Sequence, residues 1–288
     1  MPRISKATEY NWKKLNSDSK EKLTKRANKT QSKKRIIATN YLDDSKANTL
    51  LKNVLQVDSS VENIMYTLAC SALSKKELLQ KQHVQLFLQK YSHLEQVSID
   101  IPEDTWDSEN DVLGFVYQSL ITEGERNITG QYYTCKSVVE YIVGDKVLSD
   151  DETFLDPCCG SGAFLMAVRT NNPGNLYGFD INPIAVMIAS VNLLIRHKDK
   201  EFCPHIYCLD FLSKDLFTSD CRNELPFKFD NIYTNPPWGS DKDGLYTKNY
   251  PLIMSKERAS MVIYESLARL TNAGTLYFLL PRLYYNKM

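Results

Sequence analysis

"TFLDPCCGSGAFLMAVRTNNPGNLYGFDINPIAVMIASVNLLI" (residues 153–195) holds two copies of one local pattern. A short apolar run, "TFLDP" (153–157), passes a turn containing Gly160 and Gly162 and enters helical spacing over "SGAFLMAVRT" (161–170). The run "NLYGFD" (175–180) then leads into "NPIAVMIASVNLLI" (182–195). Strands that are apolar along nearly their whole length are buried on both faces, and strands alternating with helices make a parallel sheet. The same rhythm continues outward. A helix is predicted over 137–147, strands over 205–211, 229–234 and 274–281, and a helix over 256–270. The fold class is therefore α/β, Rossmann-like, with helices on both faces, and its ligands belong at the carboxyl ends of the strands.

Upstream, residues 43 to about 122 read as helical. Apolar residues recur at i, i+3, i+4 and i+7 over 48–57, 61–73 and 75–91, with Ser59 and Ser60 as caps. A fourth helix ends in "SLITEG" (119–124), with Gly124 as its stop. This divides the chain into a basic segment (1–42), a helical domain (43–126) and an α/β domain (127–288).

Of the 288 residues, 43% are hydrophobic and 24% charged, the proportions of an ordinary globular protein. Net charge is zero, yet residues 1–40 carry twelve Lys and Arg against three Asp and Glu. That segment is suited to phosphates, and equally to being a solvated tail. The longest apolar stretch, 184–195, is too short to span a bilayer. Seven cysteines with no secretory signal fit a reducing cytoplasm, and Cys203, Cys208 and Cys221 lack the spacing of a zinc site.

The strand ends carry the chemistry. "DPCCGSGAF" (156–164) supplies a Gly-rich turn before a helix, without the Lys of a phosphate loop or the full dinucleotide fingerprint. Asp180 ends the second strand, where a carboxylate accepts hydrogen bonds from a ribose diol or caps the following helix. Asp210 ends the third. The fourth ends in Asn235-Pro236-Pro237-Trp238, whose prolines forbid strand continuation and leave rigid carbonyls beside an amide and a flat ring. Taken in order, these four ends point to a site for a nucleoside-bearing cofactor.

"DPCCGSGAF" with "NPPW" resembles the class I S-adenosylmethionine-dependent methyltransferases that modify exocyclic amines. "GQYYT" (130–134), within 111–143, narrows the resemblance to N6-adenine DNA methyltransferases, above all the modification subunits of type I restriction systems. The resemblance covers roughly residues 107–281. It implies that Tyr133 and Thr134 line the cofactor's methionine end. Asp156, Gly160, Ser161 and Gly162 would form the floor beneath S-adenosylmethionine, Asp180 would bind the ribose, and Asp210 would face the cofactor's adenine. Asn235 and Pro236 would hold the target adenine, with Pro237 rigidifying the turn and Trp238 stacking on the base.

The same resemblance implies DNA as substrate and partner, a specificity subunit to choose the sequence, a restriction subunit in the same system, and a bacterial cytoplasmic setting. "NPPW" alone is shared with enzymes that methylate cytosine N4, RNA bases or protein glutamine, and a non-catalytic cofactor-binding subunit is the rival of another class. Two positions depart from the family. Cys135 stands where proline usually follows "YYT". Only "RLYYNKM" follows Pro281, where the family has a further strand hairpin, so "TLYFLLP" is expected to be a sheet edge.

Overall fold

The computed structural model describes residues 44–107, 110–123, 134–213, 225–241 and 243–280, together with Lys33, Arg35, Ile37, Ala38 and Leu42. Its centre is a sheet of five parallel strands: β1 (Phe154–Asp156), β2 (Leu176–Asp180), β3 (His205–Cys208), β4 (Phe229–Thr234) and β5 (Leu270–Phe278). Their spatial order is β3-β2-β1-β4-β5. The chain runs outward from β1 to β3, then crosses to the other side of β1 for β4 and β5, so the order reverses between β1 and β4. This is a Rossmann-like parallel sheet, and its switch point puts the ligand crevice at the ends of those two strands.

Alternation along the strands divides the core. Phe154, Leu176, Ile206 and Tyr233 face α5 (Lys136–Val143), α6 (Ala163–Ala167) and α7 (Pro183–Arg196). Leu155, Tyr177, Phe179 and Ile232 face the opposite way, against α8 (Arg258–Ala268) and Tyr250. Gly178 leaves room in β2: a Cβ there would lie 2.9 Å from Ile206 and 3.0 Å from Cys159.

The upstream helices are α1 (Ser45–Val54), α2 (Val61–Lys75), α3 (Gln82–Gln89) and α4 (Val112–Leu120). They form a layer on the outer side of α7, sharing one core with its Met187, Ile188, Val191 and Leu194. The inner side of α7, through Val186, Ala189 and Leu193, belongs to the sheet's core. This is why residues 184–195 are apolar all round: a helix buried on every side shows no polar stripe.

Several boundaries differ from the sequence pattern, each for a local reason. The helix expected over 75–91 is broken. Glu77 takes the left-handed conformation (φ 59), its N–H donates to the Ser74 carbonyl at 2.9 Å, and Leu78 N–H donates to Leu73 O at 2.9 Å. That is a Schellman stop, sealed by burial of Leu73 and Leu78. The helix expected over 161–170 spans only five residues, because Val168 turns extended and Arg169 pairs with Val147. The helix expected over 137–147 ends at Val143, before Gly144 at φ 56. The helix expected to end at 119–124 stops at Leu120; Gly124 lies outside the described residues. β5 begins at Leu270, and its register against β4 jumps from Phe229–Leu270 to Asn231–Thr275. Gly274 sits in that bulge, where a Cβ would meet the Asp230 carbonyl at 3.0 Å.

Candidate active site

Asp156, at the tip of β1, is almost fully buried, with 1% of its surface exposed. Its Oδ1 accepts the Thr234 hydroxyl at 2.6 Å and the Cys158 N–H at 3.1 Å. Burial pushes its carboxyl up to about 7, with neighbouring Asp180 adding to the rise and the two hydrogen bonds opposing it. A buried acid with few donors holds its proton up to neutrality.

The glycine loop is stitched to the end of β2. Cys159 N–H donates to the Phe179 carbonyl at 2.8 Å, and Gly160 N–H to Asp180 Oδ2 at 3.0 Å. Gly160 (φ 54) and Gly162 (φ 89) both need the left-handed region. A Cβ on Gly162 would also press on Ala189 of α7 at 3.3 Å. Burial pushes the Cys158 and Cys159 thiols well up, which leaves both as packing groups rather than nucleophiles.

Asp180 also takes the Asn182 N–H at 2.8 Å. Burial lifts it to about 6, against the lowering effect of backbone donors from Asn182, Gly160 and Ile181. It is not the cap of α7. Asn182 fills that role, accepting from Ile184 and Ala185 N–H, and its Nδ2 donates to Tyr117 of α4 at 2.6 Å. Asp210 sits in the turn two residues past β3, accepting the Leu212 N–H at 2.9 Å and the Tyr246 hydroxyl at 2.6 Å.

On the other neighbour of β1, Asn235 directly follows β4 and donates from Nδ2 to Thr134 Oγ1 at 3.1 Å. Its Oδ1 is buried. Pro236 is buried, Pro237 half-buried, and Trp238 exposed, with 37% of its surface open to solvent. Thr134, Asp156, Gly160, Ser161 and Asn235 line one small cavity. A second cavity of about 200 Å³ shares Thr134 and Ala163 with it and opens between α5 and α6. Trp238 lines neither cavity, and Tyr133 lies outside the described residues.

Asp156 and Asp180 thus end the neighbouring strands β1 and β2, Asp210 lies just past β3, and neither Asp180 nor Asp210 lines the two cavities. Asn235 lies on the other side of β1, just past β4.

Three contributors fall outside the site residues expected from the sequence. Thr234, wholly buried, holds Asp156. Asn192 of α7 donates to Ser161 O at 3.0 Å and to Asp111 Oδ1 at 2.8 Å, bracing the glycine loop against the start of α4. Asp241 accepts from Leu245, Tyr246 and Thr247 N–H and from the Thr247 hydroxyl, folding the loop after "NPPW" around itself. That last pattern has a signature, an Asp followed by turn residues and Thr in "DKDGLYT". Among the described residues, no group of His, Cys, Asp or Glu forms a metal site. Likewise no helix there is long and apolar enough to cross a membrane. Most of the basic segment lies outside the described residues.

Residues 108–281 match the family described as N-6 DNA Methylase. Among curated proteins, the type II methyltransferase M.VspI of Vibrio sp. (strain 343) is 32% identical over 189 residues, 60% of this chain and 42% of that protein. The HindI type I restriction enzyme methylase subunit of Haemophilus influenzae is 31% identical over 144 residues, 46% of this chain and 30% of that subunit. A solved modification subunit of a putative type I restriction enzyme from Vibrio vulnificus shares 22% identity. It aligns at a TM-score of 0.40 over 60% of this chain and 37% of that one, too loosely to add to the sheet order itself. The chain thus spans less than half the length of these relatives. With the family's match covering well over half of its residues, the chain belongs to the N-6 DNA methylase family.

Proposed function

We propose that this chain transfers the methyl group of S-adenosylmethionine to the N6 amine of adenine in DNA. The observation that carries the reading is the Asn235 amide, fixed by Thr134 beside the cavity that Asp156 and the glycine loop floor. The cofactor supplies an electrophilic methyl on a sulfonium. Asp156 receives its cationic amino end, Asp180 its ribose hydroxyls, and Asp210 the amino group of its adenine.

The target amine is a poor nucleophile because its lone pair is delocalised into the ring. Thr134 accepts from Asn235 Nδ2, which turns Oδ1 away as an acceptor. Oδ1 and the Pro236 carbonyl each take one N–H of the target amine and draw its nitrogen toward tetrahedral geometry. They stabilise the positive charge that grows on that nitrogen in the transition state, and no strong base is needed beforehand. Alignment of amine and methyl does the remainder. The exposed ring of Trp238 offers a face to a base swung out of the duplex, worth roughly 1–3 kcal/mol. Sequence choice is assigned to a separate specificity subunit, in keeping with relatives named as methylase subunits of type I enzymes.

The test is transfer of labelled methyl to DNA by the full complex with its specificity subunit, comparing wild type with Asn235→Ala. Removing a group that acts only in the transition state is expected to slow transfer by about 10²–10³. S-adenosylhomocysteine binding should be retained. Unchanged transfer by the variant would sink the mechanism.

A further inference from the structure

The loop after Trp238 closes on itself and reaches back to the far end of the proposed cofactor row. Its base is a bridge between Ser240 and Glu257, with Asp241 N–H donating to Lys256 O at 2.7 Å and Arg258 N–H to Gly239 O at 3.0 Å. Inside, Asp241 gathers the three backbone donors and the Thr247 hydroxyl into one knot. The knot sets the start of a helical turn in which Tyr250 N–H donates to Tyr246 O at 3.2 Å. Two tyrosines four residues apart thereby face the same way. Tyr246 gives its hydroxyl to Asp210 Oδ2 at 2.6 Å, and Tyr250 gives its own to the Leu212 carbonyl at 3.3 Å. The turn carrying Asp210 is gripped from outside by a loop that begins at the target-base residues.

We propose that Tyr246 is a positioning residue for cofactor recognition: its hydroxyl, held by the Asp241 knot, aims the Asp210 carboxylate at the amino group of the cofactor's adenine. The inference rests on the reading of Asp210 given under the proposed function. A carboxylate has about four acceptor positions, so the bonds from Leu212 N–H and Tyr246 leave room for an amine. With both oxygens tethered, the carboxylate plane is fixed before the cofactor arrives, and little orientational freedom is lost on binding. Burial, and the Asp210 carboxylate beside it, push the Tyr246 hydroxyl well above its ordinary range, so it stays a donor across neutral pH.

The experiment is calorimetric binding of S-adenosylhomocysteine and of its analogue with unsubstituted purine in place of adenine, which lacks only the amino donor. Wild type is expected to prefer the adenine form about tenfold, the worth of one charge-assisted hydrogen bond. In Tyr246→Phe the preference falls to about two- to threefold, by loss of adenine-form affinity alone. Asp241→Asn, which loosens the knot and leaves the hydroxyl in place, lowers the preference in the same direction. If Tyr246→Phe keeps the full preference, or weakens both ligands equally, the positioning role is overturned and the Asp210 reading stands. If wild type itself shows no preference, the Asp210 reading fails and the Tyr246 proposal fails with it.

Discussion

Asn235 and Thr134, 101 residues apart in the chain, meet at 3.1 Å, amide nitrogen to hydroxyl oxygen. This contact joins the segment before α5 to the end of β4 and decides which way the Asn235 amide points. Thr134→Val keeps the shape and removes the acceptor. We expect single-turnover methyl transfer to fall about tenfold, the cost of one hydrogen bond of roughly 1–1.5 kcal/mol. Thr134→Ser should restore most of it, and failure of that rescue would count against the orienting role.

Cofactor affinity should depend on pH in a stated direction. Asp156, raised to about 7, must lose its proton to receive a cationic amino group. Below pH 7 each unit therefore weakens S-adenosylmethionine binding by up to about tenfold, with a proton released on binding. Asp180, raised to about 6, steepens the loss below that value. Above pH 7 both are ionised and the affinity levels off. Calorimetry in buffers of different ionisation enthalpy counts the proton; an affinity flat from pH 5.5 to 8 would refute the assignment.

Asn192 braces the glycine loop from behind. Asn192→Leu removes the donor to Ser161 O and Asp111 Oδ1 in a buried setting. A loss of about 1–3 kcal/mol is expected, read as a lower urea midpoint at constant slope. Cofactor affinity should fall several-fold with it, because the loop loses its fixed backing.

Glu77 holds a conformation that suits glycine. Glu77→Gly relieves the left-handed strain at the end of α2 and should stabilise the chain by about 0.5–1 kcal/mol, a rise of about 1–3 °C in melting temperature. A fall in melting temperature would show that the Glu77 side chain contributes something the stop alone does not.

The sheet was legible because its signals are local. Apolar runs of four to six residues, each followed by Gly, Asp or Asn, mark buried strands ending where ligands bind, and "NPPW" shows where β4 must stop. Helix lengths were less legible. Nothing in "SKKELLQ" separates a continuing helix from one turned back at Glu77, since both keep the apolar spacing. The supports of the site were hidden for another reason. Thr234 on Asp156 and Tyr246 on Asp210 are pairs 78 and 36 residues apart, and no period or motif connects such partners. What the sequence shows is each carboxylate; what holds it is a matter of the folded chain.

The double burial of α7 bears on how this protein can be divided. Met187, Ile188, Val191 and Leu194 meet the upstream helices while Val186, Ala189 and Leu193 meet the sheet. A fragment cut near residue 127 would carry α7 with one greasy flank bared to water, inviting self-association. The upstream helices would lose the surface that organises them. One helix thus belongs to both cores, and the described helices and sheet should melt as one cooperative body.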